Sequence, residues 1–140
     1  MKYKNDEEIF DLVRRFENRT IPRDEWKHAE HLVVGLYYLC HAANFNDAYE
    51  KMRRNLLHHL KAIGIDFSKE MPFHETVTLF WLRTISNFIK SKNGYSIAEL
   101  TKELLETYEE KDLPLKYYSR ELLFSDLARR EYVEPNLKEF

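Results

Sequence analysis

Apolar residues recur along this chain at intervals of three and four, the spacing of one face of a helix. Ile9, Leu12, Val13 and Phe16 form the first set, and Asn5 with Glu8 three residues on makes a capping-box-like start. This covering helix is predicted to stop near Asn18 to Thr20. A longer helix follows from Pro22, whose missing N–H suits a first turn, with Asp24 and Glu25 where the helix dipole favours negative charge. A further helix is capped by Asn44 or Asn46, carries Ala48, Met52, Leu56, His59, Leu60 and Ile63 on one stripe, and stops at Gly64. Pro72 opens the next, with His74, Val77, Thr78, Trp81, Ile85 and Phe88 as its inner stripe and Gly94 beyond its end. Ser96-Ile97-Ala98-Glu99 is a capping box for a helix whose apolar face is Ile97, Leu100, Thr101, Leu104 and Tyr108. After Pro114 the chain reads as one or two short helices capped by Ser119 and Ser125, then an extended tail from Val133.

No run alternates as a strand does, and connections this short make consecutive helices antiparallel neighbours. The expectation is an all-α, up-down helical bundle of about four main helices, with short C-terminal helices and an extended tail, in a single domain over residues 1–140. Composition agrees. Only 3 Gly and 4 Pro argue against a turn-rich β-sandwich, and 44% hydrophobic residues are too many for a disordered chain. The net charge of −2 and the lack of a basic face argue against nucleic acid as a partner. No apolar run is long enough for a membrane span. The single cysteine, Cys40, and the polar opening residues point to the cytoplasm.

The candidate chemistry lies in the histidines. Counting about 100° per residue from His28, Leu32, Gly35, Leu39 and Ala42 fall within about 40° of it and His31 within about 60°. His28 and His31 therefore lie on or beside the core-facing stripe, while Lys27, Glu30 and Tyr37 are expected to look outward. The helix carrying His74 runs the same way as the one carrying His28, so all three imidazoles should meet at one bundle end, with His59 brought near by the helix between them. Three histidines suit a divalent transition metal with a position left open. A metal-free site using histidine as acid or base is the alternative, and hydrogen-bonded core histidines are the third reading. His74 and Glu75 are the candidate catalytic residues, His28, His31 and His74 the candidate metal ligands. Tyr118, Arg120, Trp81 and Thr78 are the candidate substrate contacts, and Arg83 is a further candidate for binding a carboxylate or phosphate. A small molecule is the expected partner. The sequence names no reaction, does not decide whether the protein is an enzyme, and shows no heptad seam that would define an oligomer.

The motif set Trp26-x-His28-x-x-His31-Leu32, His74-Glu75-Thr76-x-Thr78-x-x-Trp81, Tyr118-Ser119 and Ser125-x-x-Ala128-Arg129, followed by a Pro-containing tail, resembles a family of small uncharacterised bacterial proteins. The likeness spans residues 20–137. It implies a bacterial protein and a shared site, and no particular activity. The family's tail carries Pro-Asp where this chain has Pro135-Asn136, so no role resting on a carboxylate there carries over. In architecture the chain also looks like the DinB-type bundles, which hold a divalent metal through three histidines at a different spacing.

Overall fold

The structure, a computed structural model, describes residues 2–70 and 72–140. Among them the chain forms seven α-helices and no strand: α1 (Asp6–Glu17), α2 (His28–His41), α3 (Phe45–Ala62), α4 (Glu75–Ile89), α5 (Ile97–Thr107), α6 (Arg120–Leu123) and α7 (Asp126–Arg130). The expected all-α bundle is thus observed. Its caps follow the local sequence. Asn5, Asn44, Ser96, Ser119 and Ser125 each accept a backbone N–H from the first turn of their helix, which satisfies donors that a helix start otherwise leaves unpaired. Gly64 and Gly94 follow α3 and α4 with φ of +94° and +80°, a region that suits glycine.

Two starts differ from the sequence reading. Pro22 precedes a separate 3-10 turn at Arg23–Glu25, and α2 begins only at His28. The extended backbone of Trp26 separates the two elements, so the indole is presented from a connection rather than from a helix. His74 does not lie inside α4 but caps it, its side chain accepting the Val77 N–H.

Helix α2 is the central element and packs against α1, α3, α4 and α5. Its residues Leu32 to Leu36 are buried without interruption, the pattern of a helix surrounded by neighbours rather than one with a single apolar stripe. One side of α2 joins Ile9, Val13, Phe16, Ala48, Met52 and Leu56 in a core layer with α1 and α3. Leu32 and Leu36 on the other side join Ile85, Leu100 and Leu104 from α4 and α5. Gly35 makes the α2–α4 contact close: a β-carbon there would lie 3.2 Å from Ile85 Cδ1 and 3.3 Å from Leu82 Cδ2.

The packing around the start of α2 also reverses one expectation. Glu30, read as outward-looking, is 3% exposed. Its carboxylate accepts the Lys27 N–H at 3.0 Å and the Tyr3 hydroxyl, and the chain before α1 covers it. Burial and that carboxylate push the Tyr3 phenol well above its usual range.

A third cluster, Phe80, Tyr118 and Leu123, ties the C-terminal segment to the outer face of α4. The Thr76 hydroxyl donates to Ala128 O at 2.6 Å, with Glu131 O a further 3.0 Å contact, and accepts the Val133 N–H at 3.2 Å. Tyr118 donates to Val133 O at 2.7 Å. Asn136 accepts the Ser119 N–H at 2.8 Å and donates to the Ser119 hydroxyl at 3.0 Å. The extended tail is therefore clasped onto the bundle, as expected.

Candidate functional site

One cavity of about 470 Å³ lies where the starts of α2 and α4 meet the end of α3. Trp26, Lys27, His28 and His31 form one wall, and Met52, Leu56 and Leu60 of α3 another. Pro72, Phe73 and His74 lead into a third wall of Val77, Thr78, Trp81, Leu82 and Ile85, and Lys111 reaches in from the turn after α5. His28, His31 and His74, expected to meet at one bundle end, all line this cavity, as do Thr78 and Trp81. The α4 stripe of Val77, Thr78 and Trp81 is only half-buried because it faces this space.

The hydrogen bonds of the three imidazoles decide what they can do. A ring nitrogen that accepts an N–H uses the lone pair a metal would need. His31 Nε2 accepts the Trp26 indole N–H at 3.0 Å, so its Nδ1 carries the proton and donates to Lys27 O at 3.0 Å. Both nitrogens are occupied. Desolvation lowers the His31 pKa to about 4, so the ring is neutral at pH 7. His74 Nδ1 accepts the Val77 N–H at 3.2 Å, which makes Nε2 the donor to Leu123 O at 2.6 Å. Burial lowers its pKa as well. His28 differs. Its Nε2–H donates to Tyr108 O at 2.8 Å, and its Nδ1 has no partner among the described residues.

These bonds correct the metal expectation. Two of the three proposed ligands hold both nitrogens in protein hydrogen bonds, and no group of three His, Cys, Asp or Glu side chains among the described residues is arranged to hold a metal ion. The donor set does not fit the ion. The helical spacing of His28 and His31 is real, but Trp26, five residues before His31, takes the lone pair.

The remaining candidates divide. Tyr118 is fully buried beneath Phe80 in the C-terminal cluster and Arg120 is exposed on α6; neither lines the cavity. Arg83 is held by Tyr132, donating to its hydroxyl at 3.0 Å with the guanidinium 4.5 Å from the ring centre. Glu75 turns away from the cavity to Arg53, at 3.2 Å and 3.3 Å from its two oxygens. Burial nevertheless pushes its carboxyl above the usual range. The Thr78 hydroxyl donates back to His74 O at 2.8 Å.

Sequence reasoning missed the apolar wall from α3 and the two lysines. Met52, Leu56 and Leu60 were legible as a stripe but not as a cavity lining. Lys111 carried no signal, since only the fold returns its turn to the start of α2. His59 was expected near the site and lies behind it, its ring 5.1 Å from that of Trp26 and 5.8 Å from that of Phe16. Neither of its nitrogens has a hydrogen-bond partner among the described residues, and burial lowers its pKa.

Comparison of the chain with protein-family models, curated proteins and solved structures yields no match. No helix among the described residues is long and apolar enough to cross a membrane.

Proposed function

We propose that this protein binds a small, predominantly apolar molecule in the histidine-flanked cavity. The observation that carries the reading is the composition of its wall. Trp26, Met52, Leu56, Leu60, Phe73, Val77, Trp81, Leu82 and Ile85 surround a space of about 470 Å³, with few polar side chains among them. Small-molecule sites have this character: roughly 300–1,000 Å³, mostly apolar, with a few polar groups that orient the ligand. His31 and His74 serve as rigid wall elements in this reading, because their nitrogens are already bonded within the protein.

One observation favours a second reading, proton transfer at His28. Donation to Tyr108 O fixes its tautomer and leaves Nδ1 as a basic lone pair on a residue of the cavity wall. Binding comes first, since any chemistry there requires it.

The test is titration of the protein with N-phenyl-1-naphthylamine, a neutral apolar fluorophore. Saturable 1:1 binding, quenching of Trp26 and Trp81, and loss of both in Val77→Phe, which fills the cavity, are expected. At a free ligand concentration of 100 times Kd the native state gains about 2.7 kcal/mol, a readable rise in Tm. Unsaturable partitioning that Val77→Phe leaves unchanged would sink the reading.

A further inference from the structure

We infer that the occupant of this cavity is an amphiphilic anion: an apolar body carrying one carboxylate-like group, held at the end of the cavity where Lys27, Lys111, His28 and Trp81 meet. The inference rests on the cavity being a ligand site at all. It adds the polarity of the ligand and where its head lies.

The polar atoms of the lining that the protein leaves uncommitted carry the inference. The Trp26 N–H is taken by His31, and the nitrogens of His31 and His74 are all bonded. The Thr78 hydroxyl proton goes to His74 O. What remains is mostly donors. The Trp81 indole N–H has no hydrogen-bond partner among the described residues, although indoles in protected positions usually find one. The ammonium groups of Lys27 and Lys111 are in no ion pair among the described residues. Against these, the free side-chain acceptors are the His28 Nδ1 and the Thr78 oxygen lone pairs. A site richer in free donors than acceptors matches a ligand head richer in acceptors than donors, and an ionised carboxylate only accepts.

The residues carrying the uncommitted donors, Trp81, Lys27 and Lys111, come together around the His28 ring, whose own N–H is committed to Tyr108 O. The His28 and Trp81 rings lie 4.8 Å apart. Lys27 immediately precedes His28, and His28 Nε2 is anchored on Tyr108 O, three residues before Lys111. Among the described residues no carboxylate lines the cavity to compete. Glu30, the nearest acid in sequence, is occupied by Tyr3 and the Lys27 N–H, and Glu75 is occupied by Arg53. Of the acids beside Lys111, Glu110 pairs with Lys116 at 3.4 Å, and Glu109 and Asp112 are not among the residues that line the cavity. The apolar wall from Met52, Leu56, Phe73 and Ile85 then receives the body of the ligand.

Displacement of bound N-phenyl-1-naphthylamine separates this inference from the cavity reading. Three competitors share one ten-carbon body: decanoate, its neutral methyl ester, and decylammonium. Decanoate is expected to compete about fivefold or more better than the ester, because two cations at an aqueous mouth contribute modestly and are screened by salt. Decylammonium should compete worst. The double variant K27Q/K111Q changes only exposed side chains, so it should fold as the parent does by circular dichroism. It should lose the preference for decanoate over the ester, read as the ratio of the two competition constants. Trp81→Phe should weaken decanoate more than the ester. Equal competition by decanoate and ester, or a preference for decylammonium, overturns the anion inference and leaves the cavity reading standing. Failure of the fluorophore and of all three competitors to bind overturns both.

Discussion

In the C-terminal clasp, Thr76, Tyr118 and Asn136 commit their polar atoms to the backbone or to Ser119, and Tyr118 is fully buried. In the cavity wall, His28 and Trp81 each keep one ring nitrogen without a partner among the described residues, and both remain half-buried. Both regions consist of side chains that look alike as sequence motifs. The clasp uses its polar groups to hold a tail in place, where removing one partner strands another. The cavity leaves a few groups open on otherwise apolar walls, the condition for recognising something that is not protein. A polar residue in a motif therefore says little until its partners are known.

The largest expected effect tests the clasp. Tyr118→Ala should destabilise the protein by about 3–5 kcal/mol, the usual cost of truncating a fully buried aromatic. Urea unfolding reads the loss, and fluorophore binding at low temperature should persist in the folded fraction. A loss of binding without a loss of stability would move Tyr118 back into the ligand site.

Acid sharpens the comparison from the cavity side. His31 titrates at about 4 in the folded protein, because burial disfavours its cation, against about 6.5 in an unfolded chain. Between these values the unfolded chain binds the extra proton, so stability falls as pH drops from about 6.5 towards about 4. The loss from His31 alone is of order 3 kcal/mol. His59 and His74 are displaced in the same direction by burial and deepen it. Urea melts at pH 7 and pH 4.5 should differ accordingly, and His31→Gln should narrow the difference. Equal stability of the parent at both pH values would show that His31 is not held neutral.

A smaller effect is expected at Thr76. Thr76→Val keeps the shape but removes the donor to Ala128 O and the acceptor for the Val133 N–H, which should cost about 1–3 kcal/mol with ligand affinity unchanged. The smallest belongs to Arg120→Ala. An exposed side chain on α6, away from the cavity, should change stability by no more than about 0.5 kcal/mol and leave decanoate affinity where it was. A weakened decanoate affinity in Arg120→Ala would break the separation of the two regions.

Much of the fold was legible because it rests on local rules. The caps at Asn5, Asn44, Ser96, Ser119 and Ser125 need only a short polar side chain and the next turn of backbone. Helical periodicity placed Ala48, Met52, Leu56 and His59 on one buried face of α3. The burial of Glu30 was not legible, since it depends on Tyr3 crossing from before α1. The start of α2 was misjudged because nothing local to Pro22 shows that the chain straightens at Trp26.

The candidate site divides along the same line. Residue type, helical phase and the reversal of short-linked helices led to an all-α bundle and to the expectation that His28, His31 and His74 would meet at one of its ends, because these rules are local. Only the tertiary structure decided which of their polar atoms are already bonded. Hydrogen-bond partners come from distant segments: Tyr108 for His28, Leu123 for His74, and Arg53 for Glu75. The distant carbonyls fix the tautomers of His28 and His74, while the lone pairs a metal would have needed on His31 and His74 are taken by the nearby Trp26 and Val77 N–H groups.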